Sequence, residues 1–231
     1  EMPIERFEAT GSNCIWTSKG DGLVVSDAKA GKLCRIDLST GESIALTDLD
    51  DDGDPEQPPR MAVSQQGGRL AFTSRSSTSS IAELRVLTYR RRRPVVDLLK
   101  QVPDAKATLL PFWIEPDQLG AVIISPKEGS TSIISFYLKE SDEEILYESK
   151  VLEPARTPCP SPFLRYLAFF RTSGLSLLDM DKGGVQLLAP AEQVEGELRF
   201  GKDLIFIEGG NAAYCIELKN FKDERVPLPS L

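Results

Sequence analysis

The sequence contains no histidine among its 231 residues. Imidazole is the base of Ser-His-Asp and Cys-His catalysis and a common metal ligand, so its absence excludes both kinds of catalytic site and every histidine-based metal site. The sequence also lacks an apolar run of the roughly 20 residues that a membrane-spanning helix needs, and it does not open like a signal peptide. We therefore expect no insertion into a membrane.

Cysteine is scarce and widely spaced. Cys14, Cys34, Cys159 and Cys215 form no C-x-x-C pair, which excludes a zinc ribbon and a thioredoxin-like redox motif. An even number of cysteines also occurs in disulfide-bonded secreted proteins, but this chain is long enough to fold without disulfides and contains no N-x-[ST] glycosylation acceptor. We expect four free structural thiols, and the sequence assigns no compartment.

Basic residues are outnumbered by acidic ones. The chain has 27 Lys and Arg against 35 Asp and Glu, which gives a formal net charge of −8. A surface of this sign repels the phosphate backbone of nucleic acids and anionic lipid headgroups, so we expect neither as a partner. Hydrophobic residues make up 41% of the chain, which is enough to form a core of ordinary size.

A weak internal repeat extends over the whole chain. A short turn followed by an apolar strand recurs five times, with equivalent starting points at Trp16, Val63, Trp113, Pro160 and Leu198. The spacing of roughly 40–50 residues is the period of a four-stranded propeller blade. We therefore predict one domain over 1–231, built of repeat units at approximately 1–50, 51–101, 102–152, 153–192 and 193–231.

Each unit continues with a third strand, a turn and a fourth strand. In Lys32–Leu38, apolar Cys34, Ile36 and Leu38 alternate with other residues, which is the period of a half-buried strand. No segment has a sustained helical period. An isolated antiparallel blade cannot bury both of its faces, so the blades must stack around an axis. The predicted fold is all-β, a β-propeller of five four-stranded blades.

Two stretches, 51–75 and 160–179, carry a family likeness. The first reads as an acidic linker, then proline, then Ser64-Gln-Gln-Gly-Gly68 and the apolar strand Arg69-Leu-Ala-Phe72; the second runs from Pro160-Ser-Pro162 into Tyr166-Leu-Ala-Phe-Phe170. Here the chain resembles the TolB-like propeller blade, a relative of the WD-repeat blade. The resemblance implies a propeller for nearly the whole chain, with five units where that family usually has six. It names a scaffold and no particular function.

The predicted first strands, which would line the central channel, carry few acids. Glycosidases need two convergent carboxylates, and a lactonase-type propeller needs a channel metal held by acids and an amide. Only Glu115 and Glu197 lie at the ends of these strands, which are predicted at Asn13–Ser18, Met61–Ser64, Pro111–Glu115, Pro158–Ser161 and Glu197–Phe200. We therefore expect no enzymatic activity, no cofactor and no metal, with a propeller enzyme or a calcium-dependent small-molecule binder as the alternative.

An acidic segment follows the first unit. Asp48, Asp50, Asp52 and Glu56 surround Gly53 in the pattern D-x-D-x-D-G-x-x-E, which is similar to the calcium loops of other propellers. The twelfth position of an EF-hand is Pro59, which excludes a complete EF-hand. We favour a solvated acidic linker, and calcium binding stays open as the alternative.

Four consecutive arginines, Arg90, Arg91, Arg92 and Arg93, form what we call the arginine turn, between the third and fourth strands of the second unit. Guanidinium groups bind carboxylates in a bidentate manner, so we predict that an acidic protein partner docks here. The alternatives are a solvated turn that protects the sheet edge and, less favoured because no aromatic residues accompany the run, a nucleic-acid contact.

Four aromatic residues fall at corresponding or neighbouring positions of the repeat, and we assign them to the packing between blades: Trp16, Trp113, Phe169 and Phe206. The predicted function is a non-enzymatic scaffold for protein–protein interaction. A further alternative is the propeller portion of a longer chain, such as a peptidase gate.

Overall fold

The computed structural model describes residues 14–27, 31–49, 59–66, 68–76, 80–89, 94–161, 165–191, 197–200, 204–209, 212–217 and 225–227. These residues contain twenty β-strands and no α-helix. Within these residues, no helix is long and apolar enough to cross a membrane.

The strands form five four-stranded sheets. The first sheet contains β1 (Cys14–Trp16), β2 (Gly22–Asp27), β3 (Lys32–Asp37) and β4 (Ser43–Asp48). The second contains β5 (Met61–Val63), β6 (Arg69–Ser76), β7 (Ile81–Tyr89) and β8 (Pro94–Val102). The third contains β9 (Thr108–Glu115), β10 (Gln118–Ser125), β11 (Ser130–Tyr137) and β12 (Asp142–Ser149). The fourth contains β13 (Cys159–Pro160), β14 (Tyr166–Arg171), β15 (Gly174–Asp179) and β16 (Gly184–Pro190). The fifth contains β17 (Glu197–Phe200), β18 (Leu204–Gly209), β19 (Ala212–Glu217) and β20 (Arg225–Pro227).

Every sheet is an antiparallel meander in which neighbouring strands follow one another along the chain. The first strands of consecutive sheets contact each other, β1 with β5, β5 with β9, β9 with β13 and β13 with β17. The sheets are therefore arranged around a common axis with their first strands innermost, as in a β-propeller. The closure of five blades into a ring stays a prediction.

The strand registers confirm four of the five predicted starting points of the repeat. Trp16, Val63, Trp113 and Pro160 each pair with the second residue of the following strand. In the fifth sheet the equivalent pair is Phe200 with Ile205, so the prediction of Leu198 was wrong by two residues. The paired residues are five positions apart in the fifth unit, against seven in the first, and the turn-based alignment did not account for all of this shortening.

Four hydrophobic clusters lie between consecutive sheets. In β9, Leu109 and Trp113 face the second sheet, whereas Leu110, Phe112 and Ile114 face the fourth sheet. Both faces of the third sheet are thus buried, which explains why β9 and β10 are almost continuously apolar. Burying one such side chain contributes roughly 1.5–3 kcal/mol, so these clusters dominate the stability of the fold.

The fourth strand of each of the first four sheets contains a β-bulge at the same place. The bulge leaves one leucine of each strand unpaired with the third strand: Leu46, Leu99, Leu146 and Leu188. A bulge changes the direction of a side chain relative to the regular pleat. All four leucines are half-buried and pack against the cluster shared with the next sheet. The repeated bulge therefore couples each outer strand to the neighbouring sheet.

The positions of Cys14 and Cys34 in the first sheet exclude a disulfide between them. Cys14 pairs with Val25, which in turn pairs with Cys34, so one strand separates the two cysteines. Two strand spacings amount to about 10 Å, which exceeds the roughly 7 Å limit for a disulfide. Cys14, Cys34 and Cys159 form no disulfide with any described residue, and the side chain of Cys215 lies outside the described residues.

The assignment of four aromatic residues to the core needs one correction. Trp113 and Phe169 are buried between sheets as predicted, and the side chain of Phe206 lies outside the described residues. Trp16, however, is 60% exposed. It lies on the face of the first sheet that is turned away from the second sheet, and only the second sheet supplies a neighbouring cluster to the first sheet among the described residues.

A comparison of equivalent residues supports this explanation. Leu70, Leu119, Leu167 and Ile205 are fully buried, each against the preceding sheet. The equivalent residue of the first sheet, Leu23, is only half-buried. The strands of the first sheet are about as apolar as those of the other sheets. The greater exposure of Leu23 therefore arises from the position of its sheet and not from the sequence.

We therefore expect Trp16 to be the accessible one of the two tryptophans. Acrylamide should quench the fluorescence of Trp113→Phe, which retains Trp16, several-fold more strongly than that of Trp16→Phe. Trp113 is shielded by its cluster, and its indole N–H donates to the carbonyl of Ala62 at 2.9 Å. Equal protection of both tryptophans in the monomer would show instead that another sheet covers this face in solution.

Candidate binding cleft

The arginine turn, Arg90–Arg93, lies outside the described residues. The strands on either side of it are described: β7 ends at Tyr89 and β8 begins at Pro94, and these two residues pair with each other. The run therefore connects the third and fourth strands of the second sheet, as predicted. Its role as a docking site stays a prediction.

The acidic segment is described only at its beginning. Asp48 ends β4 and forms an exposed ion pair with Lys32, with 3.8 Å between Nζ and Oδ1. Asp50, Asp52 and Glu56 lie outside the described residues. Within the part of the chain that the structure describes, no group of three or more Cys, Asp or Glu side chains could hold a metal ion.

Two buried carboxylates connect the sheets at one end of the molecule. Asp104 follows β8 and accepts hydrogen bonds from Ser125 Oγ at 2.9 Å and from the backbone N–H of Lys127 at 3.0 Å. Glu153 follows β12 and accepts from the backbone N–H of Thr172 at 2.5 Å and from its hydroxyl at 2.7 Å. Asp104 thus links the connection between β8 and β9 to the turn between β10 and β11. Glu153 links the connection between β12 and β13 to the turn between β14 and β15.

Both carboxylates are held in the ionised form. The backbone N–H of Lys127 is the main cause of the lowered pKa of Asp104. Burial alone would raise the pKa of Glu153, but hydrogen bonds from Thr172, Tyr147 and Arg171 outweigh it and lower the pKa below its ordinary value. These acids are suited to holding the fold together, because a catalytic general acid needs the opposite shift.

A third buried carboxylate, Glu83, lies within the second sheet. It accepts from Arg85 Nη2 at 2.6 Å, from Gln101 Nε2 at 2.8 Å and from Ser74 Oγ at 3.4 Å. Burial opposes its ionisation, yet the hydrogen bonds from Gln101 and Arg85 lower its pKa overall. Glu83 therefore links three strands of its own sheet.

A cleft of about 590 Å³ lies between the second and third sheets. This volume falls within the range of roughly 300–1,000 Å³ that is typical of ligand sites. The second sheet contributes residues of β6, β7 and β8, and the third sheet contributes the end of β11, the following turn and the start of β12. Its lining residues are Arg69, Val86, Thr88, Asp97, Leu98, Leu99, Phe136, Tyr137, Leu138, Ser141, Asp142 and Glu143.

The floor of the cleft is apolar and its rim is charged. Val86 and Phe136 are buried, and Leu99 and Leu138 pack against the same cluster. Leu98 is 48% exposed, and its pairing with Arg85 places its side chain on the opposite face of the second sheet, which Phe72 shares. The skipped residue, Leu99, points into the cluster beneath the cleft.

Two ion pairs bridge the sheets on either side of the cleft. Lys100 Nζ contacts both carboxylate oxygens of Glu143, at 2.7 and 2.9 Å. Arg69 Nη1 donates to the carbonyl of Pro116 and to Asp117 Oδ1, both at 2.5 Å. Lys139 also binds Asp117, and hydrogen bonds from Lys139 and Arg69 hold the pKa of Asp117 below its ordinary value.

These pairs engage the cations around the cleft. Its cation, Arg69, is engaged by Asp117, and the nearby Lys100 is engaged by Glu143. Asp97 and Asp142 are exposed and form no ion pair with any other described residue. Asp97 pairs with Val86 and lies on the cleft face of the second sheet, whereas Asp142 pairs with Tyr137 and lies on the face of the third sheet that is turned toward the fourth.

Sequence reasoning did not find this cleft. Its residues come from six segments of two repeat units, and no local motif joins them. One sequence signal was available, since Glu140, Asp142, Glu143 and Glu144 concentrate four acids at a hairpin turn. That signal indicates an acidic turn and cannot reveal the apolar floor that the second sheet provides.

No protein-family model and no curated protein matches the chain. Solved structures do match it. TolB from Acinetobacter baumannii is 15% identical over 94% of this chain and 54% of its own, with a TM-score of 0.58. A chain of the nidogen/laminin complex is 13% identical over 94% of this chain and 77% of its own, with a TM-score of 0.58. A puromycin-hydrolysing peptidase from Mycobacterium tuberculosis is 16% identical over 95% of this chain and 45% of its own, with a TM-score of 0.56.

The chain spans about half the length of the TolB chain that it matches. At these identities the matches concern the arrangement of the strands and not the chemistry of a site. Together with the five meandering sheets and the clusters between them, they show what the fold is. The chain has a TolB-like β-propeller fold.

Proposed function

We propose that this propeller is a non-enzymatic scaffold that binds protein partners. The observation that carries the proposal is the state of the buried carboxylates Glu83, Asp104 and Glu153. Each of them accepts three or more hydrogen bonds from its own fold and has a lowered pKa. A carboxyl group that acts as a general acid near neutral pH needs a raised pKa, so these three carboxyl groups are unsuited to that role.

The similar structures are compatible with this proposal. The nidogen/laminin complex is, by its name, an assembly of proteins, and a chain of it shares this fold. The rival proposal is that the chain is the propeller portion of a longer peptidase. The match to the puromycin-hydrolysing peptidase favours that rival, because the matched part is under half of the peptidase chain.

The arginine turn is our proposed docking site for an acidic partner. Replacing Arg90, Arg91, Arg92 and Arg93 together by serine should weaken the binding of a Glu-rich peptide by about tenfold or more at low salt. The melting temperature should change little, because exposed charges contribute little to stability. Fluorescence anisotropy with a labelled peptide measures the binding.

A control variant removes two cations elsewhere on the surface. Lys19→Ser with Lys182→Ser alters two exposed lysines in turns of the first and fourth sheets and should leave the affinity within about twofold. A quadruple Arg→Lys variant keeps the charge but loses bidentate recognition, so we expect it to bind with intermediate affinity. If the serine variant binds the peptide as tightly as the parent does, the arginine turn is only a solvated turn.

A further inference from the structure

One face of the first sheet is largely apolar and accessible to solvent. This face, which we call the open face, is turned away from the second sheet, and alternation along the strands places eight residues in two rows on it. Trp16, Leu23, Ile36 and Ser43 form one cross-strand row, and Cys14, Val25, Cys34 and Ala45 form the next. All eight are half-buried or exposed, and none belongs to a hydrophobic cluster of the described residues.

The equivalent face is covered in each of the four following sheets. Leu70, Leu119, Leu167 and Ile205 are the residues equivalent to Leu23, and each is fully buried against the preceding sheet. Faces of this composition are thus closed by the apolar face of another β-sheet, and such faces pack about 10 Å apart. Among the described residues, the open face has no covering sheet.

The charges of the open face lie at one end of it. Asp27, Lys32 and Asp48 form a third row beyond the row of Cys14, and the two apolar rows contain no charged residue. The chain as a whole has a formal net charge of −8, which keeps the acidic surfaces of two molecules apart. The two apolar rows add nothing to that repulsion, so a second copy of the chain can approach this face.

The order of the side chains across the strands fits two-fold symmetric packing. When the two-fold axis runs parallel to the strands, β1 of one copy lies over β4 of the other, and β2 lies over β3. Trp16 then faces Ser43, so the largest side chain of the row meets the smallest, and Leu23 faces Ile36. Because the axis is two-fold, each of these contacts occurs twice.

The same alignment brings opposite charges together. In the third row, Lys32 of β3 faces Asp27 of β2 in the other copy, again twice. A two-fold axis running across the strands would instead place the charged third row over the apolar row of Trp16. Size and charge therefore both favour the axis parallel to the strands.

We propose that two copies of this chain associate through their open faces, with β1 of each copy over β4 of the other. The open face measures about 20 Å along the strands and about 19 Å across them, or roughly 400 Å². This area is about half of what a standard interface buries per partner. We therefore expect a reversible dimer with a Kd of roughly 10–100 µM.

Sedimentation equilibrium of the full chain in reducing buffer, from about 5 to about 500 µM, measures the association. The parent should change from monomer to dimer over this range. Trp16→Lys removes the largest apolar contact and places a cation between the copies, so the Kd should rise by at least about tenfold. Leu187→Lys makes the same kind of change at an exposed residue of the fourth sheet and should leave the Kd within about twofold.

Lys32→Glu and Asp27→Lys test the alignment, because each substitution alone sets like charges opposite each other. Either variant alone should dimerise about fivefold or more weakly than the parent at the same low salt concentration. An equimolar mixture of the two variants restores opposite charges at both places of a heterodimer. The mixture should therefore sediment as a dimer at concentrations at which each variant alone is monomeric. Both residues lie at the surface, so the melting temperatures should stay close to that of the parent.

A parent that stays monomeric at the highest of these concentrations would overturn the proposal, and so would a dimer whose Kd is the same for Trp16→Lys. A mixture of the charge variants that associates no better than either variant alone would overturn the alignment of β1 over β4. The contact uses no residue of the arginine turn and does not rest on the proposed function. The quadruple serine variant should accordingly dimerise as the parent does.

Discussion

Replacing Glu153 by alanine is expected to lower the free energy of unfolding by about 3 kcal/mol, since it breaks a buried charge network. The Glu153 side chain is only 5% exposed and accepts hydrogen bonds from the backbone and hydroxyl of Thr172 and from Tyr147, and it pairs with Arg171. Removing the carboxylate leaves the partly buried donors of Tyr147, Arg171 and the Thr172 backbone without their common acceptor. Urea denaturation followed by circular dichroism measures the loss.

The contribution of Glu153 should also depend on pH with a definite sign. Its pKa in the folded protein is lower than the ordinary value of 4.5. The unfolded chain therefore binds more protons between the two values, and the stabilisation is present above the unfolded pKa and disappears as pH falls through the folded pKa. The stability gap between the parent and Glu153→Gln should accordingly be constant near neutral pH and narrow in acid.

Glu128→Gln provides the control for both measurements. Glu128 is exposed, and its carboxylate accepts one long hydrogen bond, from Ser130 Oγ at 3.4 Å. Its substitution should change the free energy of unfolding by less than about 0.5 kcal/mol. If Glu153→Ala lowered the free energy of unfolding no more than Glu128→Gln does, the hydrogen bonds of Glu153 would not connect the third and fourth sheets.

Gly174→Ala is expected to destabilise the protein by more than about 3 kcal/mol, because strain and a backbone clash act together. Gly174 has φ of 130°, a conformation that residues with a side chain rarely adopt. A Cβ atom here would overlap the carbonyl oxygen of Ala189 and lie 2.7 Å from the backbone nitrogen of Ala191. Both neighbours are backbone atoms, so a change of rotamer cannot relieve the overlap.

Gly129→Ala separates the clash from the backbone preference. Gly129 has φ of 64° and no atom within 4 Å of the position of a Cβ. Alanine there should cost only about 1 kcal/mol, which is the penalty of the left-handed conformation. The melting temperature of Gly174→Ala should therefore lie clearly below that of Gly129→Ala. Equal melting temperatures would show that β15 and β16 can separate to accommodate the side chain.

Sequence reasoning predicted the strands well because their determinants are local. Alternation within Lys32–Leu38 identifies a strand from adjacent residues alone, and the recurring turn and strand identify the unit. The same local basis explains the error at Leu198. The register of β17 with β18 depends on the length of the connection, which the motif did not define in the fifth unit.

The sequence by itself determined the fold class, the order of the strands within each sheet and the exclusion of histidine chemistry. Only the tertiary structure decided which apolar faces are covered. Trp16 and Trp113 have equivalent positions in the repeat, yet one is exposed and the other is buried. Likewise, Lys100 and Glu143 lie in different repeat units and form an ion pair only because their sheets are adjacent. The physical reason is that side-chain alternation fixes which residues share a face, whereas burial and binding depend on the neighbouring sheet that the face meets.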